Sequence, residues 1–166
     1  MTRIKGINDT SDMVAIFHTS DTEIKKNVFL DLIRGWMTLE EIEKKYGEEG
    51  KRAVFYLEKI KLVESQWLLK EGGQRTKSYK AYYDTVQINI TMPIIELPEI
   101  IRIATMSEEE INKYEEMILK IMGDKKSIYL GDVQTALNIS LSFLKGIIKR
   151  SMKFDIKGHD LERVEV

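Results

Sequence analysis

The chain has no cysteine among its 166 residues. Disulfides, thiolate metal ligands, redox switching and cysteine nucleophiles are thereby excluded for this chain by itself, and the absence fits a reducing compartment. No apolar run approaches the roughly 18 residues a membrane span needs. The polar start MTRIKGIND is unlike a signal peptide, so a cytoplasmic protein without a membrane partner is expected. There is no excess of one charge: Lys and Arg number 26 against 27 Asp and Glu, which gives no global sign of a polyanion partner. Histidine is nearly absent. His18 and His159 lie far apart in sequence, and Asp160 beside His159 reads as turn chemistry, so no metal or other cofactor is expected. Ser-His-Asp order, Walker loop and GxGxxG are missing, and the carboxylates sit on solvated helical faces. An enzyme is not indicated.

The distribution of charge says more than its sum. Residues 1–92 carry 15 basic and 14 acidic side chains, residues 93–122 carry 3 and 7, and residues 123–166 carry 8 and 6. Acidity is concentrated in the middle of the chain. The length allows one or two small domains.

The stretch from Thr38 to Tyr83 organises the rest. Before it, the apolar run Met13–Phe17 predicts a strand or short helix packed on the domain that follows. Ser20 with Glu23 is a capping-box pair, and Ile24, Val28, Leu32 and Phe29, Ile33, Trp36 recur at threes and fours. They predict a helix from Asp21 to Arg34 ended by Gly35. Thr38 with Glu41 opens a second, short helix that Gly47 stops. After a polar turn Gly47–Gly50, the segment Lys51–Lys61 turns Ala53, Val54, Leu57 and Ile60 inward. Its other face carries Lys51, Arg52, Phe55 and Lys59. Two such helices joined by a glycine-bearing turn suit a helix-turn-helix whose second helix can enter a DNA major groove.

A strand Leu62–Leu69, the turn Glu71-Gly72-Gly73-Gln74 and a return strand Thr76–Tyr83 then make a hairpin, or wing, with Lys70, Arg75, Lys77 and Lys80 on or near its tip. Those cations could hold a phosphate backbone. Val86, Ile88, Ile90 and Met92 alternate with polar residues, which predicts another half-buried strand.

The helix-turn-helix ending in LEKIKLVES, the wing GGQRTKSYKAYY and the strand VQINIT resemble archaeal winged-helix regulators of the ArsR type over at least Thr19–Thr91. Leu57, Leu62, Val63 and Glu64 match that family's leucine and Leu-Val-Glu run entering the wing. Lys61 stands where a glycine is usual, and the turn Gly47–Gly50 is compressed and acidic by comparison. The resemblance implies the fold and binding to double-stranded DNA. It does not imply arsenic or heavy-metal sensing, because the family's metal-sensing members use cysteines.

Beyond Met92, Pro93 and Pro98 bracket Ile94, Ile95 and Leu97, and Ile100, Ile101, Ile103 and Ala104 form a short apolar helix. Ser107 with Glu110 caps a helix carrying Ile111, Tyr114, Ile118 and Ile121 at a/d spacing up to Gly123. Two turns of heptad pattern are too few for an independent coiled coil but suffice to pack on a partner subunit. In the remainder, Leu130, Val133, Ala136 and Leu137 make one short helix, Ser140 caps another, and Phe154 to Val164 forms a hairpin through Lys157-Gly158-His159-Asp160. This repeats the first domain in miniature. Lys145, Lys149, Arg150, Lys153 and Lys157 face it with either a second DNA contact or, preferably, a structural and dimer-supporting role.

The expected fold is α+β and mostly helical: a winged helix-turn-helix over residues 1–92, a helical dimerisation segment over 93–123 and a small helix-turn-helix-like domain over 124–166. The expected function is that of a homodimeric DNA-binding transcriptional repressor, with Lys51, Arg52, Phe55, Lys59, Arg75, Lys77 and Lys80 at the DNA. The alternative is a winged-helix module that binds an acidic protein within a transcription complex. A weaker third reading has Ile94–Met106 lining an effector pocket.

Overall fold

The structure, a computed structural model, describes residues 2–165. In chain order the first elements are β1 (Ile4–Ile7), α1 (Thr10–Phe17), α2 (Glu23–Arg34), β2 (Met37–Thr38), α3 (Leu39–Lys59), β3 (Val63–Leu69), β4 (Arg75–Ala81) and β5 (Thr85–Ile88). A 3-10 turn (Ile94–Glu96) leads to α4 (Leu97–Thr105), α5 (Glu108–Met122), β6 (Ser127–Tyr129), α6 (Leu130–Leu137), α7 (Leu141–Arg150), β7 (Phe154–Lys157) and β8 (Asp160–Arg163). The described residues form two compact units. One holds the chain up to Ile7 with Phe17–Asn89, the other Asn8–Ile16 with the chain from Ile90 onward.

In the first unit, local chemistry sets the helix starts. Thr22, and not Ser20, caps α2: its hydroxyl accepts from Lys25 N–H at 3.2 Å, so Glu23 opens the helix where a carboxylate faces the positive dipole end. Thr38 and Glu41 form the full capping box. Thr38 N–H donates to Glu41 Oε2 at 2.7 Å, and Glu41 N–H donates to Thr38 Oγ1 at 3.2 Å. The expected four-residue turn shrinks to one residue, Gly47 (φ 67, ψ −160), which divides α3 into two arms. Glu48 and Glu49 therefore open the second arm and do not fill a loop. Gly50 is buried where the arms cross, and a Cβ there would sit 2.3 Å from Tyr46 Cβ.

Burial follows the predicted face. Ala53, Val54, Leu57 and Ile60 pack inward with Val28, Leu32, Ile42, Leu62, Val63 and Tyr79. The second arm ends in a Schellman motif, with Lys61 N–H donating to Glu58 O and Leu62 N–H to Leu57 O, both at 3.0 Å. That places Lys61 at φ 58, a left-handed conformation that glycine adopts without steric cost. The wing has antiparallel register Val63 to Ala81 through Leu69 to Arg75, and β2 joins it in the order β2-β4-β3. Gly72 and Gly73 turn the tip at φ 95 and 83. β5 departs from the expected half-buried strand: it ends at Ile88, all four of its residues are exposed, and it pairs in parallel with β1, with Val86 39% and Ile88 46% exposed.

The second unit repeats the scheme: α5, β6, α6, α7, β7 and β8 follow the order of the first winged helix, and β6-β8-β7 matches β2-β4-β3. Ser107 and Glu110 form the expected box on α5, Ser140 caps α7, and Asn138 takes a left-handed φ of 50 between α6 and α7. Val14 of α1 and Ile100 and Ile103 of α4 join the core with Leu144, Ile147 and Phe154, so α1 packs on the later unit and not on the domain that follows it in sequence. Ile111 and Ile118, on the face offered above to a partner, are buried in this same core. Ile94 and Ile95 are 88% and 86% exposed while Ile100, Ile103 and Met106 are core, so the stretch Ile94–Met106 divides between solvent and interior.

Two expectations follow. Lys61→Gly should stabilise the protein by about 0.5–1 kcal/mol, net of glycine's greater unfolded freedom, read as a rise in the urea midpoint; a fall would mean that the left-handed backbone is not the dominant cost. Asp31 accepts from Lys45 Nζ at 2.6 Å and Tyr46 Oη at 2.5 Å, tying α2 to α3. The Lys45 bond is the main reason its carboxyl titrates below the ordinary 3.8. Because the folded carboxyl keeps its charge to lower pH than the unfolded one, this contribution is complete above that range and is lost as pH falls through the folded titration. Asp31→Asn should thus destabilise at neutral pH and flatten the acid limb of stability against pH.

Candidate nucleic-acid interface

The second arm of α3 presents its cations at the surface. Arg52 is exposed and makes no ion pair among the described residues. Lys51 is half-buried beside Glu43 and Glu48 at 3.8 and 3.6 Å, loose pairs with exposed carboxylates that hold it weakly. Lys59 is half-exposed near the end of the arm. Phe55 is also half-buried and lines a cleft of about 410 Å³ between α3 and the wing, together with Glu43, Glu58, Trp67, Arg75 and Lys77.

Strand register sorts the wing residues. Cross-strand pairing of Trp67 with Lys77 and of Leu69 with Arg75 puts these four on one strand face, and of them Trp67, Arg75 and Lys77 line the cleft. Lys80 pairs with Glu64 and projects from the other face, so Arg75, Lys77 and Lys80 do not act as one cluster. Two ion pairs fasten the wing to α3: Lys70 with Glu40, and Lys77 with Glu58. The Lys77 ammonium also lies 5.9 Å from the Trp67 ring centre and 5.4 Å from that of Tyr79. Burial, with the Glu58 charge adding to it, pushes the Tyr79 hydroxyl up to about 12, so it stays a neutral donor. The arrangement puts Phe55 and Glu58 of the helix arm and Trp67, Arg75 and Lys77 of the wing around one cleft, and leaves Arg52 and Arg75 exposed without an ion pair among the described residues.

Sequence reasoning missed two things here. Trp67 and Leu69 read as ordinary strand formers, yet they are 66% and 73% exposed, Trp67 at the cleft itself. The acids Glu40, Glu43 and Glu58, scattered in sequence, converge on the same cleft.

The second winged helix is a different object. On α7, Phe143, Leu144, Gly146, Ile147, Ile148 and Arg150 are buried, which leaves no free face comparable to the α3 arm. α4 lies against it: a Cβ on Gly146 would meet Ile103 at 2.9 Å. Arg150 donates to Ile103 O at 3.0 Å and Met106 O at 2.5 Å and pairs with Glu108 at 3.1 Å. Lys149, Lys153 and Lys157 are paired with Asp12, Glu115 and Glu162 at 3.0, 2.7 and 2.6 Å. Four of the five basic residues of this run, all but Lys145, are thus paired inside their own unit.

Among the described residues no three metal-ligating side chains come together, and no helix is long and apolar enough to cross a membrane. His18 is buried with Nδ1 2.5 Å from Asp21 Oδ2, and His159 is exposed at the β7–β8 turn.

The family model described as ArsR transcriptional regulator matches residues 7–165. No curated protein and no solved structure matches the chain. A match over nearly the whole length, spanning both units, means that the chain belongs to the ArsR family of transcriptional regulators.

Proposed function

We propose that this protein is a homodimeric DNA-binding repressor in which the second arm of α3 enters the major groove and the wing follows the adjoining backbone. The observation that carries the reading is the shared surface of arm and wing, with Arg52 exposed on the one and Arg75 on the other. Arg52 is the base-reading candidate, because its planar fork can pair both acceptors of a guanine. Lys51 and Lys59 serve phosphates, Lys80 on the opposite face of the wing lies outside this surface, Phe55 supports the arm from the cleft, and Lys77 holds the wing to Glu58. A two-fold dimer would set two arms about 34–36 Å apart on successive major grooves of an imperfect palindrome.

A second reading has one observation in its favour. Glu40, Glu43 and Glu58 in the cleft repel phosphate, and with Phe55 and Trp67 they would suit a basic and apolar protein segment, in place of the acidic partner that the sequence alone suggested. Light scattering with selection from genomic fragments separates the two. A dimer that enriches a palindromic fragment supports the repressor, and a monomer that enriches none supports the protein-binding module.

On the selected fragment, anisotropy titrations should show Arg52→Ala weakening binding by about 1–3 kcal/mol and relaxing preference at one base position. Arg75→Ala should weaken all sequences alike and lower the salt slope by about 1. Unchanged affinity in the double variant would remove the arm and wing from the DNA.

A further inference from the structure

β3 is the outer strand of its sheet, and among the described residues no strand pairs with its far edge. The two ends of the hairpin fix which backbone groups that edge presents. Tyr82 N–H donates to Leu62 O at 2.9 Å, Lys70 N–H donates to Gln74 O at 2.8 Å, and the register between them is unbroken. Leu62, Glu64, Gln66, Leu68 and Lys70 therefore turn their N–H and C=O groups to β4, while Val63, Ser65, Trp67 and Leu69 turn theirs outward. Edge strands are ordinarily blunted by a proline, a bulge or a charge. From Ser65 to Leu69 there is none of these, and all five residues are exposed, Trp67 and Leu69 the most so. An uncharged, largely apolar edge of this kind is a template for another strand.

We propose that β3 pairs antiparallel with β3 of a second copy across a two-fold axis at Trp67, joining two three-stranded sheets into one of six strands. This deepens the homodimer of the function proposed above and rests on that part of it. The occupant follows from self-complementarity. Outward residues must face outward residues, and a pairing centred on Trp67 sets Ser65 against Leu69 of the partner subunit and Glu64 against Lys70 of the partner subunit, twice over by symmetry. Glu64 makes no ion pair within its own chain among the described residues, and Lys70 keeps 36% of its side chain exposed beside Glu40, so both are open to the cross-copy pair. Opposite charges directly across an antiparallel pair stabilise it, and the two indoles meet at the axis as an aromatic pair. Moving the centre to Gln66 would face Glu64 with Leu68 and Lys70 with the buried Leu62, and both ion pairs would be lost. A two-fold axis between antiparallel strands stands perpendicular to the sheet, so the two α3 arms lie on the same side of it, as a palindromic site requires.

The full chain has no cysteine, so single cysteines report the register directly. In the paired strands Trp67 faces its own copy with Cα atoms about 5.5 Å apart, within disulfide reach. Ser65 is displaced from its own copy by four residues, about 13 Å. Under mild oxidation Trp67→Cys should run as a covalent dimer on a non-reducing gel, and Ser65→Cys should not. Sedimentation equilibrium of the unmodified chain should give a dimer. Trp67→Lys sets two like charges face to face at the axis and should raise the dimer dissociation constant about tenfold. Its far-ultraviolet circular dichroism should match that of the unmodified chain, since Trp67 is exposed in the single copy.

A dimer that Trp67→Lys leaves intact, with no cross-link through Trp67→Cys, would overturn the edge pairing and leave the homodimeric reading standing on another surface. Cross-linking through both cysteines alike would overturn the register by assigning it to collision between exposed thiols. A chain that stays monomeric at every concentration would overturn the pairing and the homodimer together.

Discussion

The cleft between α3 and the wing depends on how closely the two arms of α3 cross. Gly47 supplies a backbone turn at φ 67 that a side chain would resist, and Gly50 lets the second arm pass against Tyr46 with no Cβ between them. From that crossing the rest follows. The second arm buries Ala53, Val54 and Leu57 and so must turn Arg52 outward, and the Schellman end at Lys61 aims the chain directly into β3. The wing is then adjacent to the arm by construction, and the pairs of Lys70 and Lys77 with Glu40 and Glu58 hold it there. Glu40 and Glu58 thus have a structural use in keeping two surface elements in register.

How much was legible in the sequence depended on how local the cause was. The capping boxes at Thr38 and Ser107, the Gly72-Gly73 turn and the inward face of the second arm are set by residues within a few positions of one another, and each stands where the pattern put it. Ser20 and Thr22 are both good caps, and only the helix geometry selects Thr22. The one-residue turn at Gly47 was hidden because it needs the Gly50 contact with Tyr46. β5 has the alternation of a half-buried strand, but its partner is β1, some 80 positions away, and alternation does not name a partner. Arg52 and Arg75 could be read from the sequence as surface cations, and both are exposed. The engagement of Lys77 could not, since Glu58 lies 19 residues from it and reaches it only through the wing's register.

The two winged helices are a contrast in how the same framework spends its charge. In the first, the arm after the turn keeps Arg52 exposed. In the second, Arg150 is drawn inward to satisfy the last carbonyls of α4, and the lysines around it find carboxylates within the unit. Gly146 matters here for the opposite reason to Gly50: it admits another helix, α4, onto the side of α7 that would otherwise face solvent. The repeated order of elements therefore does not carry a repeated distribution of charge.

The threading of the chain has a consequence for biosynthesis. α1 emerges from the ribosome early, but Val14 belongs to a core whose other members begin at Ile100. Throughout translation of the intervening segment, this helix has an apolar side and no hydrophobic companions. A fragment ending near Asn89 would carry the whole of the first winged helix together with this orphaned helix, and would be prone to aggregate for a reason unrelated to its own fold.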